Sequence, residues 1–284
     1  MKKQLFSFAL LCAGFGTLLF SACGSGDTSE EQDDNMDTSI VEQAADASEA
    51  YNVVLPSPLQ IARIFQQAGL TYQADLVNKI ENSGLYATQT GKTLNFGVYS
   101  SDLAYLVLNN QNQEALVYLK SLKDMAGNIG LSPIFNDEKL VNTFEKNMGN
   151  PDSLISVLAE IQEKLDMILQ DNEQEHLHAV IFAGAWVEGM YMGSKVSVQG
   201  SQDGVNNKLM EQMNILESLI TGLQQQPDKN DEINSLIGQL QDVHKFYEEL
   251  NARAGEQTPT LTAEKKKELS DRISLIRNGI VKVN

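Results

Sequence analysis

The amino-acid sequence predicts an all-α fold, a multi-helix bundle of antiparallel helices that ends in a three-helix bundle. Three observations carry that expectation. From Leu55 onward the apolar residues recur at helical spacing, and strand-like alternation is confined to short pieces such as Lys195 to Gln199. Several candidate helices open on a capping residue followed by proline and close on glycine or asparagine. Three successive stripes near the C-terminus keep the same four-three rhythm, which a bundle buries most simply.

Ser57-Pro58 supplies a capping hydroxyl and a proline at the first helical position, and Gly69 stops that helix. Leu76 to Ile80 reads as a short second helix and Leu94 to Leu108 as a third. Gln113 to Ile129 returns as a fourth after the turn Asn109-Asn110-Gln111-Asn112, and so tight a turn requires antiparallel neighbours. Asn136 precedes a helix through Lys146. Asn150-Pro151-Asp152 starts another, with Leu154, Leu158, Ile161, Leu165 and Ile168 along one seam. The most apolar helix is expected over Leu177 to Met192, where Ala185, Gly189 and Gly193 make one smooth face open to close approach. A membrane span is not expected there, because His178 and Glu188 interrupt a short apolar core.

Ser194 to Asn206, with Gly200 and Gly204, is the best internal boundary, dividing a helical domain over 51–199 from the three amphipathic helices of 205–284. Their seams are Leu209, Met213, Leu216, Ile220 and Leu223; Leu236, Leu240, Val243, Tyr247 and Leu250; and Leu269, Ile273, Ile276, Ile280 and Val283. No helical repeat recurs at a fixed period.

The N-terminal residues read as an address. Met1-Lys2-Lys3 is a basic start, Leu5 to Phe20 is apolar and of signal-peptide length, and Ser21-Ala22 precede Cys23. Leu19-Phe20-Ser21-Ala22-Cys23 resembles the lipobox of bacterial lipoproteins, with Phe20 where that pattern usually has leucine. The resemblance implies that residues 1–22 are removed and that Cys23 carries diacylglycerol, making the membrane a partner through a lipid anchor. The other cysteine, Cys12, lies in the segment so removed, which leaves a disulfide-free body to be held by core burial alone.

Residues 23–50 then form an acidic tether, with Asp27, Glu30, Glu31, Asp33, Asp34, Asp37, Glu42, Asp46 and Glu49 and no Lys or Arg. Low hydrophobicity and one sign of charge predict disorder, and a coil of this length spans roughly 30 Å. Acids soon after a lipidated cysteine also resemble the surface-export signal of lipoproteins in one Gram-negative phylum. Cell-surface and periplasm-facing orientations at the outer membrane both stay open. Leu55-Pro56-Ser57-Pro58 and Asp171 to Gly193 resemble the α-helical lipoproteins of Gram-negative gut and marine bacteria, a likeness that implies no particular activity. Nucleic acid is not an expected partner, since the formal charge is −17 and no basic stripe is present.

Catalytic signatures are missing. The sequence has no Gly-x-Ser-x-Gly elbow, no His-Glu-x-x-His, no Gly-rich phosphate loop and no haem-attachment motif. The Gly-x-His-x-x-Glu motif of imelysin-type lipoproteins is absent as well. Glu173 and His176 share the Glu-x-x-His spacing of diiron bundles, but the second such pair and the extra carboxylates are lacking; no metal or cofactor is expected.

Two carboxylates stand out. Asp102 lies within Tyr99-Ser100-Ser101-Asp102-Leu103-Ala104-Tyr105, and Glu188 within Trp186-Val187-Glu188-Gly189-Met190-Tyr191. Burying either is costly without a partner. Each then pairs with a tyrosine hydroxyl, His178, Arg63 or a helix terminus, or faces water; the functional alternative is a ligand pocket of Asp102, Glu188, His178, Tyr99, Tyr105, Trp186 and Tyr191. Two functional expectations follow. The first is a lipid-anchored envelope module that binds or scaffolds a protein partner without catalysis, and the second a small-ligand receptor or enzyme using that pocket.

Overall fold

The computed structural model describes residues 55–136, 138–200, 203–254 and 259–283, which hold nine α-helices and no strand. The signal-like segment, Cys23 and the acidic tether lie outside the described residues.

Helix α1 (Pro58–Gln67) starts as its sequence directs. Ser57 Oγ accepts the Gln60 N–H at 3.2 Å while Gln60 Oε1 accepts the Ser57 N–H at 2.5 Å, a reciprocal cap that satisfies two otherwise orphaned donors. Gly69, at φ 97°, turns the chain out of the helix where a side chain would be strained. The short helix expected over Leu76 to Ile80 does not form; one 3₁₀ turn, Ile80–Asn82, stands at its end. Its backbone is claimed from outside: the Asn78 N–H is donated to Asp102, and the Asn78 and Lys79 carbonyls accept the hydroxyls of Tyr118 and Tyr99. Tertiary partners replace the local ladder.

Helices α2 (Gln89–Leu108) and α3 (Asn112–Asn128) form the expected hairpin, closed by Asn110 in the left-handed region at φ 60°. A 3₁₀ turn (Ser132–Phe135) and α4 (Lys139–Lys146) lead to α5 (Pro151–Asp171), whose cap is Asn150 Oδ1 accepting from the Ser153 N–H. Helix α6 (His176–Gln199) is buried continuously from Ala179 to Met190 and absorbs the strand-like piece Lys195 to Gln199 into its last turns. A helix apolar on every side must be covered on every side. It packs on α1, α2 and α5, and also on α7 (Asp203–Gln224) and α9 (Ala263–Ile280). No described helix, α6 included, is long and apolar enough to cross a membrane.

The three C-terminal stripes are buried as expected, but they close with a fourth member. Helix α8 (Asp231–Ala254) bridges α7 and α9, and α6 lies against both, so α6 to α9 form a ring. Helix α6 thus lies against helices on both sides of the boundary expected near Ser194 to Asn206, with α7 and α9 packed on it.

The expected smooth face of α6 receives side chains of α1: a methyl at Gly189 would stand 2.6 Å from Ile61 and one at Gly193 2.7 Å from Phe65. The backbone approach lies outside that face, at Gly184: a Cβ there would overlap the Leu94 carbonyl of α2, and a Cβ at Gly97 of α2 would overlap the Ile181 carbonyl. Gly97→Ala or Gly184→Ala is expected to remove at least about 3 kcal/mol of stability, as overpacking against immobile backbone does at its worst. Gly238→Ala, on an open face of α8, is expected to add about 0.5–1 kcal/mol through helix propensity. Urea denaturation of the three variants checks both signs, and equal midpoints would contradict the close approach.

Candidate functional site

Asp102 and Glu188 do converge, one from α2 and one from α6, and both are fully buried. Their surroundings are a packed polar seam. Arg277 of α9 grips Glu188 with two parallel bonds, Nε to Oε2 and Nη2 to Oε1, each 2.9 Å. Its guanidinium lies 4.6 Å from the Tyr191 ring centre. Asp102 Oδ2 accepts the Asn78 N–H at 3.1 Å, and the Asn78 side chain donates to Tyr86 at 2.8 Å. The Tyr99 ring meets Tyr86 edge to face and lies tilted against Tyr118 beside this point. Arg277 was not foreseen as the partner. The signal lay in its spacing, because it stands four residues after Ile273 and three before Ile280, inside an apolar stripe where an exposed arginine does not belong.

Protonation follows from the bookkeeping of charge. Burial drives the Asp102 carboxyl well above its ordinary range, and the adjacent Glu188 carboxylate drives it further. Burial also raises Glu188, with Arg277 pulling the other way. Oδ1 of Asp102 has no hydrogen-bond donor among the described residues, and the Glu188 carboxyl is the acid beside Asp102. One arrangement satisfies every group: Asp102 keeps its proton and donates it to Glu188, which stays ionised against Arg277.

The remaining residues of the expected pocket go elsewhere. Tyr99 donates to the Lys79 carbonyl, and Tyr105 donates to the Thr71 carbonyl while accepting the Gln73 N–H. Trp186 faces α7 and donates to Gln212 at 3.2 Å. His178 sits ten residues before Glu188 on the same helix, roughly 15 Å along its axis, and its neighbour is Asp166. Arg63, too, pairs with neither carboxylate. The expected pocket is thus two separate sites, because the tyrosines are spent on backbone carbonyls of the 70–82 segment.

The second site is a cleft of about 780 Å³. Helices α1 and α5 both pack on α2 and α6, and the cleft opens between them over the first turns of α6. Its apolar lining includes Leu59, Ile64, Ile155, Met167 and Phe182, and its polar lining includes Arg63 from α1 and Glu163, Asp166, His176 and His178 from the opposite wall. Gln226 closes one end, donating to the His176 carbonyl at 2.6 Å. Asp166 is the anomaly here. Burial pushes its carboxyl up to about 6, Gln162 donates to it at 2.8 Å, and Glu163 adds repulsion. His178 Nδ1 lies 3.6 Å away, and burial disfavours the imidazolium that would neutralise it. Glu173 is in the left-handed turn before α6, at φ 56°, so it shares no helix face with His176. Among the described residues no three His, Cys, Asp or Glu side chains gather to hold a metal ion.

Neither a known family, nor a curated protein, nor a solved structure matches this chain.

Two consequences are measurable. Arg277→Ala is expected to cost about 3–5 kcal/mol, because it leaves Glu188 buried without its counter-charge. Asp102→Asn, which keeps a donor toward Glu188, is expected to cost no more than about 1 kcal/mol; a loss comparable to that of Arg277→Ala would mean that Asp102 is ionised. For Asp166 the sign is reversed. A carboxyl raised from 3.8 to about 6 binds more protons folded than unfolded, so its contribution is complete below pH 4 and is lost as pH rises through 6. Asp166→Asn is expected to stabilise the protein at pH 7.5 by about 1–2 kcal/mol after solvent screening, and to flatten stability between pH 4 and 6. Thermal melts across that range check it.

Proposed function

We propose that this protein is a lipid-anchored binding protein of the cell envelope, held at the outer membrane through Cys23, whose folded body captures a small ligand in the cleft between α1 and α5. The observation that carries the reading is the cleft itself, about 780 Å³ between α1 and α5, with the Asp166 carboxyl in its wall held by the Gln162 amide and in no Lys or Arg ion pair among the described residues. Burial raises that carboxyl, and a perturbed acid in a cleft is a common mark of a binding site. The volume falls within the range of small-molecule sites, and the lining mixes apolar residues with polar and charged ones from both walls. The Asp102, Glu188 and Arg277 seam is enclosed and Arg277 neutralises Glu188 within it, which favours a structural role. The cleft opens beside Leu55 and Pro56, where the tether of the sequence reading joins the body.

Two measurements test the two halves of this reading. Cys23→Ala is expected to move the protein from the membrane to the soluble fraction; retention in the membrane would end the anchoring proposal. The neutral dye N-phenyl-1-naphthylamine is expected to brighten on binding the cleft, and Ala159→Trp, at an exposed position of the wall, to reduce that signal at least tenfold. Undiminished fluorescence in the variant would place binding elsewhere.

A further inference from the structure

We infer that the ligand of the α1–α5–α6 cleft is an amphipathic amine, a primary ammonium carried on an apolar body. The inference rests on the cleft being a binding site and adds the charge of what enters it.

The charge around the cleft is uneven. Its carboxylates are Glu163 and Asp166 from α5 and Glu175 just before α6, while the titratable imidazoles are His176 and His178 on α6. Arg63 on α1 is the cation of the wall. It forms no ion pair with Asp166, and it also lines a second recess beside Gln66, Val107 and Asn110. Of the two α5 carboxylates Asp166 is the less exposed, its side chain 29% accessible. One of its oxygens is held by the Gln162 amide, which fixes the carboxylate in the cleft without neutralising it. Every other group acting on it is an acid or a neutral imidazole.

A carboxylate so placed discriminates by sign. An anionic headgroup would meet Asp166 and Glu163 together, a like-charge contact in a poorly solvated site. A neutral headgroup would gain only the apolar wall. An ammonium would form a charge-assisted bond to Asp166 while its alkyl body covers Ile64, Ile155, Met167 and Phe182. The same bond favours the ionised carboxylate, offsetting the penalty that burial places on it. The guanidinium grip on Glu188 elsewhere in the molecule shows that this fold neutralises a buried carboxylate where it has a cation to do so.

The probes are octylammonium, octanoate and 1-octanol, titrated by calorimetry into the full-length protein in detergent-free buffer after Cys23→Ala, at pH 7.5 and low salt. Octylammonium is expected to bind at least tenfold more tightly than either control. Asp166→Asn should abolish that preference and leave octanol binding unchanged, with circular dichroism confirming the fold. Lowering the pH should weaken octylammonium binding about tenfold per unit below 6 as Asp166 takes up its proton, with His178 protonation acting in the same direction. Octylammonium binding no better than octanol, or no worse after Asp166→Asn, overturns the inference. If octanol and octanoate bind and Ala159→Trp blocks them, the cleft stands as a site and only the cationic specificity falls. If none of the three binds, both fall.

Discussion

The structure hangs on the contact between the backbones of α2 and α6 at Gly97 and Gly184. No side chain separates the two helices there, so each presents main-chain atoms directly to the other. That proximity sets the depth of everything around it. Asp102 lies five residues beyond Gly97, and Glu188 four beyond Gly184, each a little over one turn along its own helix. Helices held at the usual side-chain spacing of 8–10 Å would leave the two carboxyls too far apart to share a proton. The glycines thus create the buried pair, and the pair in turn requires Arg277, which draws α9 onto α6.

This seam is costly and specific. Removing two carboxyls and a guanidinium from water is not expected to favour folding over an apolar filling of similar volume. It does fix which helices meet and in what register, because Glu188 accepts two bonds from one arginine, Asp102 receives one backbone N–H, and a shift by one turn breaks them all. Tyr99, Tyr105 and Tyr118 extend the same logic to the segment after α1, whose carbonyls they satisfy. The cleft is the opposite kind of polar site. Asp166 meets the Gln162 amide and the His178 ring and, among the described residues, no Lys or Arg in an ion pair, and its side chain remains partly open to solvent.

Much of this was written plainly in the chain. Ser57-Pro58 and Asn150-Pro151 place their helices to the residue, since a side-chain acceptor followed by proline carries the local geometry itself. The stripes on α8 and α9 are buried where their spacing puts them. Leu76 to Ile80 was misleading because helical spacing there serves an irregular segment whose hydrogen bonds come from α2 and α3. The prominence of Asp102 and Glu188 was readable, as each is a carboxylate in an apolar run, whereas their union with Arg277 was not, since the pairing spans α2, α6 and α9. The cleft escaped notice for a similar reason: Asp166 looks like any polar residue on an amphipathic helix until α1 is laid alongside it.

The sequence separation of the central contact shapes how the chain reaches its native state. Between Gly97 and Ile181 lie α3, α4 and α5, so the loop closed by the α2–α6 contact already contains local helical structure that can form first. Glu188 finds its counter-charge three helices further on, in α9. A core without α9 holds that carboxylate without Arg277, so seating α9 on α6 completes the charge balance of the buried seam.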